Sequence, residues 1–339
     1  GTSISKFELI KNKAADFTIE MASEKINLNH LIKYIGENNS NPSEINLSFD
    51  LKSDLFLLPG NLEMHGSILG NYNTTQKLSA NVMGDIKVND QILIQKTKVN
   101  AKMNNGQLLF KGSGKINQTP VTLDMKNSNN SKGKVLVIAG QNAGKILSGL
   151  DVTQLVEGGD VEININLDEN NFKNYNATID ISKFNVVNAP ILVRLISTLS
   201  LTGLLNLLEE KGIYFERGVA KIEKINDTLK IEKIYAVGEA MAISLDGWIN
   251  KNKDILQVHG TMAPATLLNK LLEPVPLLSE LLIGGDKAGI VITEFRLDGS
   301  ISKPTISFRP LSSAPGLLRD IFNIFRSDKK AFNNESFQN

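Results

Sequence analysis

Apolar and polar residues alternate along most of this chain with a period of two, the signature of strands with one apolar and one polar face. Ile45, Leu47, Phe49 and Leu51 interleave with Asn46, Ser48 and Asp50. Val161, Ile163, Ile165 and Leu167 interleave with Asp160, Glu162, Asn164 and Asn166. The same rhythm recurs over Phe17 to Met21, Leu62 to Ile68, Val121 to Met125, Ala177 to Ile181, Leu229 to Tyr235, Met241 to Leu245 and Ile290 to Leu297. Turn-forming stretches separate these runs: Asn71 to Thr75, Asn104-Asn105-Gly106, Asn127 to Gly133 and Asn226-Asp227. Strand and helix do not alternate as a parallel α/β fold requires, so the pattern predicts a mainly β protein, a large antiparallel meander.

Helical spacing is rare. It predicts helices from about Asn29 to Ile35, capped by Asn27 or Asn29, from Asn142 to Leu147, and from Pro190, a residue suited to a first turn, to about Leu208. A fourth covers Pro264 to Leu272, breaks at Pro274 and Pro276, and resumes from Leu277 to Ile283; a fifth starts near Pro315. Residues 327–339, rich in Asn and Ser, read as a disordered tail. Ile191 to Leu208 is apolar, but Arg194, the Thr202-Gly203 break and the Glu209-Glu210-Lys211 end favour a short buried or interfacial hairpin over a membrane span.

Charge adds little to this picture. The 339 residues carry Lys+Arg 37 against Asp+Glu 36, a net charge of +1, so no global field draws the chain to nucleic acid or to an anionic membrane, and any membrane contact is expected to be local and apolar. The absence of cysteine excludes disulfides, thiolate metal sites and a cysteine nucleophile. The opening Gly1-Thr2-Ser3 reads as the start of a fragment or processed chain.

The motifs that suggest chemistry are incomplete. Gly140-Gln141-Asn142-Ala143-Gly144-Lys145 sits between a strand and a helix, yet three residues separate its glycines where a phosphate loop has four, and Ile146 stands where a Ser or Thr would hold magnesium. It reads as a tight glycine turn into a short helix. His30, His65 and His259 are scattered, without the spacing of a metal site. Asp160 and Glu162 fall on a polar strand face, and Asp168 to Asn171 lacks the spaced ligands and central glycine of a calcium loop. Gly66-Ser67-Ile68-Leu69-Gly70 has its serine in the wrong place for a nucleophile elbow. Gly158-Gly159 and Gly284-Gly285 mark turns that need positive φ. No cofactor is expected, and the chain reads as a non-enzyme.

Beyond Pro315, Leu317, Leu318, Ile321, Phe322 and Phe325 share one helical face. Such a helix either lies in a headgroup region or caps the end of the sheet, and the spacing favours the cap.

An ordered series closes the chain: Pro264-Ala265-Thr266-Leu267-Leu268-Asn269, Pro274 to Leu278, Gly284-Gly285, Asp298-Gly299, Pro310-Leu311-Ser312 and Pro315-Gly316-Leu317-Leu318-Arg319. With Gly140 to Leu147, Gly158-Gly159, Ala189-Pro190 and Leu201-Thr202-Gly203-Leu204, it resembles the C-terminal region of the AsmA-like envelope proteins, relatives of YhdP and TamB. The resemblance spans roughly residues 130–326. It departs at Arg309-Pro310, where many relatives read Asn-Pro.

That resemblance implies a β-rich groove segment over 1–130, an AsmA-like C-terminal domain over 131–326, and a sheet curled into an elongated groove. It further implies a periplasmic protein held by an inner-membrane anchor upstream of Gly1, non-enzymatic, moving phospholipid between inner and outer membranes. The lipid-contacting rows would include Val161, Ile163, Ile165, Leu167, Ile179, Ile181, Ile243 and Leu245. Two alternatives stay open: a closed β-domain that binds envelope proteins as an assembly factor, and an envelope hydrolase, for which the sequence shows no polar cluster.

Overall fold

The computed structural model describes residues 4–13, 16–28, 46–58, 62–73, 77–88, 91–104, 107–127, 134–167, 174–198, 211–264 and 292–311. They form an open, mixed, seventeen-stranded sheet that is not closed into a barrel, accompanied by two short helices. Strand registers follow chain order, so the mainly β meander expected from the alternation is present. By packing, the chain divides into two compact units, 1–154 with 161–175 and 155–160 with 176–339. That division runs through the strand Val156–Leu167.

The first unit begins with β1 (Ile4–Lys13), β2 (Asp16–Asn27), β3 (Asn46–Leu58), β4 (Leu62–Asn73) and β5 (Lys77–Val88). It continues with β6 (Gln91–Asn104), β7 (Gln107–Ile116), β8 (Thr119–Asn127), β9 (Lys134–Gln141), α1 (Ala143–Gly149) and the second half of β10 (Val156–Leu167). From β1 to β9 neighbours pair antiparallel except β2 and β3, which run parallel from Asp16 opposite Asn46 to Asn27 opposite Leu57. A pure meander has no such step, because a parallel pair cannot be joined by a tight hairpin.

Turns follow the side-chain chemistry. Asn117 and Gln118, at φ 46° and 62°, form a two-residue turn closed by Ile116 opposite Thr119, a conformation whose twist matches the flanking strands. Asn226, at φ 51°, does the same between Ile225 and Thr228 where the sequence predicts a turn. The pairing of Asn104 with Gln107 brackets the predicted Asn105-Gly106 turn, which lies outside the described residues.

One line across this unit interrupts the pleat. Ser23, Ser53, Gly66, Gly84 and Thr97 stand opposite one another on consecutive strands, β2 to β6. The registers shift beside it, between Ser53 and Phe56, Gly84 and Ile86, and Gln95 and Lys98. Ser53 Oγ holds its bulge by donating to Leu55 O at 3.0 Å and accepting from Leu55 N at 3.1 Å; Ser23 makes the same pair with Lys25 at 3.1 and 3.4 Å. In β6, Lys96 takes φ 50° and donates its N–H to Asp85 Oδ1 at 2.7 Å. Each extra residue re-phases its strand, so that Phe56 and Ile94 return to the apolar face. Phe56 and Met64, both fully buried, lie beyond this line with Ile26 and Leu28, and Leu51, Ile68 and Ala80 join their cluster from the near side.

The predicted helix at Asn142 is α1. Its positive φ falls on Asn142, at 66°, rather than on Gly140, and the Asn142 side chain caps the helix by accepting from Lys145 N at 3.2 Å. Gly140 serves a different need: a side chain there would crowd Ile146 and the Pro120 carbonyl. Ala143, Gly144, Ile146 and Leu147 are buried.

The second unit holds the first half of β10, β11 (Tyr175–Val186), α2 (Pro190–Thr198), β12 (Ile213–Ile225), β13 (Thr228–Val237), β14 (Met241–Asn250), β15 (Ile255–Pro264), β16 (Ile292–Ser300) and β17 (Thr305–Leu311). Helix α2 starts at Pro190 as expected and presents Leu192, Leu195 and Ile196, a helical i, i+3, i+4 face, to the core. There they join Phe184, Ile213, Phe215, Met241, Met262 and Phe295, with the Phe184 and Phe215 rings stacked at 5.5 Å. Gly158 and Gly159 take the expected positive φ.

Pro264 ends β15 in an extended strand, so it is not the first residue of a helix. The helices expected over Asn29 to Ile35, after Pro264, over Leu277 to Ile283 and from Pro315, with Leu317, Leu318, Ile321, Phe322 and Phe325, lie outside the described residues.

Candidate functional site

Strand registers line the apolar residues into rows perpendicular to the strands. In the first unit one row reads Leu9, Ile19, Phe49, Gly70, Ala80, Ala101, Phe110, Met125, Leu136 across β1 to β9. The next reads Phe7, Met21, Leu51, Ile68, Val82, Val99, Gly112, Leu123, Ile138. Neither contains a titratable group. Many of these side chains are half-buried, and the rows reach solvent at Phe7 and Leu9, each 58% exposed.

The second unit repeats the arrangement. Ala220, Ile234, Leu245, Gly260, Phe295 and Phe308 form one row; Ile222, Ile231, Gly247, Val258, Leu297 and Ile306 form another. Gly260 is where the Phe295 ring lies across the neighbouring strand, and a side chain there would collide with it.

The eight residues expected to contact lipid fall into two groups. Val161, Ile163 and Ile179 are buried, at 4%, 3% and 5% exposure. Ile165, Ile181, Ile243 and Leu245 are half-buried, and the last three pack against the core cluster that includes α2. Leu167 lies on β10, at a position whose side chain is outside the described set. The lipid-contacting residues expected from the sequence all lie on β10, β11 and β14, and none comes from the rows of β1 to β9, although the alternation is equally plain at Phe49 and Leu51. What it lacked was register, which decides whether neighbouring alternations align.

The reverse face of the second unit is a ladder of charges and amides. Arg217 grips Asp180 with two bonds, Nε to Oδ1 at 3.1 Å and Nη2 to Oδ2 at 2.6 Å. Asp246 receives Lys233 Nζ at 3.1 Å and has His259 Nδ1 at 3.8 Å. Trp248 Nε1 donates to Gln257, whose amide donates to Asp298 at 3.2 Å. Arg296, 2.6 Å from Asp298 Oδ2, holds that carboxyl below its ordinary range, with burial opposing and Gln257 assisting. A depressed carboxyl contributes stability at neutral pH that is lost as pH falls through its lowered pKa. Arg296→Gln is therefore expected to move the Asp298 titration upward toward the ordinary carboxylate value, as read by side-chain carboxyl NMR shifts. An unmoved titration would show that Arg296 does not control it.

These groups are paired along strands and do not converge. Among the described residues no three of His, Asp and Glu could share a metal ion, and no helix is long and apolar enough to cross a membrane. His65 faces Lys87 at 3.3 Å, and His30 lies outside the described residues. Chemically, the apolar rows can bind an extended aliphatic surface through non-directional burial, at about 25 cal/mol per Å².

Comparison with protein-family models, curated proteins and solved structures gives no match.

Proposed function

We propose that this chain is a non-enzymatic protein of the cell envelope whose apolar β-face carries the acyl chains of phospholipids between inner and outer membranes, in the periplasm. The observation that carries the reading is the in-register apolar rows, continuous over nine strands in the first unit and free of titratable groups. A row perpendicular to the strands provides a track along which an acyl chain exchanges one apolar contact for the next, with no bonding to break. An open sheet is consistent with a groove, and half-buried side chains such as Ile165, Ile181, Ile243 and Leu245 retain surface for a ligand. The ordered AsmA-like motifs support the same reading, including an anchor in the inner membrane. Transport in this mechanism is diffusive, and any energy comes from partners.

A photo-crosslinking residue at Ile165, Ile181 and Leu245, with Asn164, Asp180 and Asp246 as reverse-face controls, tests it in cells containing labelled phospholipid. Adducts are expected at the first three positions and not at the controls. Folded protein without adducts at either set would overturn the proposal in favour of an assembly factor that binds envelope proteins through a closed β-domain. The three buried residues Val161, Ile163 and Ile179 are the observation that favours that second reading.

A further inference from the structure

The near-zero net charge conceals a local imbalance. Residues 77–127, which supply β5 to β8, contain eight lysines and three aspartates and neither Arg nor Glu. Register assigns the exposed members to one side. Val82 and Val99 lie in an apolar row, so their neighbours Met83 and Lys98, which pair directly across β5 and β6, point to the reverse face. Lys102 and Lys111 share that face, as does Lys52 of β3. The Lys111 side chain is 81% exposed, with Asp124 Oδ2 at 3.4 Å. Among the described residues neither Lys98 nor Lys102 has a carboxylate within ion-pair distance, whereas Lys233 and Arg217 of the second unit are paired with Asp246 and Asp180.

Two large apolar side chains stand exposed on this face, Met83 directly opposite Lys98, and Leu69 between Asp50 and Asn81, with Lys52 3.5 Å from Asp50 Oδ2. Met83 is 48% exposed and Leu69, on the adjacent strand, 53%. Interleaved lysines and exposed aliphatic side chains are what a headgroup layer accommodates: ammonium groups meet lipid phosphates while the aliphatic tips enter the acyl boundary. A nucleic-acid surface would instead present aromatic platforms or arginine forks. The sole aromatic residue of 77–127, Phe110, belongs to the opposite, apolar face.

We infer that the reverse face of β3 to β7, centred on Lys98, Lys102, Lys111, Met83 and Leu69, docks onto an anionic bilayer surface. The inference does not depend on lipid occupying the apolar rows, because it concerns the other side of the sheet.

The test is co-sedimentation of the full chain with phosphatidylcholine vesicles, with and without phosphatidylglycerol. Binding is expected only with the anionic lipid and is expected to weaken in high salt, which screens exposed charge. Lys98→Glu/Lys102→Glu/Lys111→Glu is expected to lose on the order of a hundredfold in partitioning, since each lysine near an anionic surface contributes roughly fivefold. Lys211→Glu/Lys253→Glu/Lys303→Glu reverses as many exposed charges in the second unit and is expected to bind nearly as well as the parent. Equal losses in the two triple variants would show that global charge acts, and would overturn the assignment to this face. So would equal binding to both vesicle types, or stronger binding to single-stranded RNA than to anionic vesicles. Circular dichroism of both variants ensures that folded proteins are compared.

Discussion

Gly84→Val is expected to destabilise the first unit by about 3 kcal/mol or more, because it adds backbone strain to a collision that no rotamer relieves. Gly84 takes φ 158° and stands opposite Gly66 on the neighbouring strand, itself at φ 146°. A Cβ on Gly84 would overlap the His65 carbonyl oxygen, and one on Gly66 would overlap the Met83 carbonyl oxygen. Both obstacles are backbone, held by the ladder, so the strands would have to part. Parting them would break the line from Ser23 to Thr97 along which the strands change phase, exposing Phe56 and Met64 beyond it. Ser79→Val, at an exposed position of the same strand, is the control and is expected to shift stability by within about 0.5 kcal/mol. Urea unfolding followed by far-UV circular dichroism measures both. If Gly84→Val unfolds at the parent's midpoint, the strands do not approach at Gly66 and Gly84 as described.

The second large effect concerns binding. Ile243→Thr with Leu245→Asn replaces two half-buried side chains on one face of β14, Leu245 in the row with Ile234 and Ile243 between Ala236 and Met262, by polar groups of similar size. Removing this apolar surface costs about 1 to 2 kcal/mol per site toward an acyl chain, so phospholipid recovered with the purified protein is expected to fall about tenfold or more. Mass spectrometry of extracted lipid reads the outcome, with near-UV circular dichroism and Tm to confirm folding. A folded double variant that retains the parent's lipid would remove these rows from the transport path. A parent protein that carries no lipid would return the apolar face to ordinary core and leave the assembly-factor reading standing.

Strand identity was legible because alternation is a local property. The runs around Phe49, Val161 and Met241 each carry their two faces in five or six residues, and all of them lie in strands. The helix from Pro190 was legible for a similar reason: a proline suited to a first turn precedes Leu192, Leu195 and Ile196 at helical spacing. The hairpin turn at Asn117-Gln118 was not, since glutamine rarely takes positive φ without the flanking ladder to impose it. The parallel pairing of β2 with β3 was equally hidden, because hairpin and crossover connections join strands of the same composition.

What the amino-acid order determined by itself is therefore the alternating runs that became β2, β3, β4, β8, β10, β11, β13, β14 and β16, and the sidedness of each. Only the tertiary structure decided how those sides combine. Register is a long-range choice: a slip of one residue between β4 and β5 would send Ile68 opposite the polar row while leaving every local pattern intact. The same pairing put Lys98 beside Met83, and Lys111 one row away, on one side of the sheet, a cluster that residues scattered over 83–111 do not announce. Burial, too, was set by neighbours distant in the chain. Ile163 and Ile165 sit two residues apart on one strand face with the same side chain, yet one is sealed and the other half-open, because what covers each comes from elsewhere in the fold.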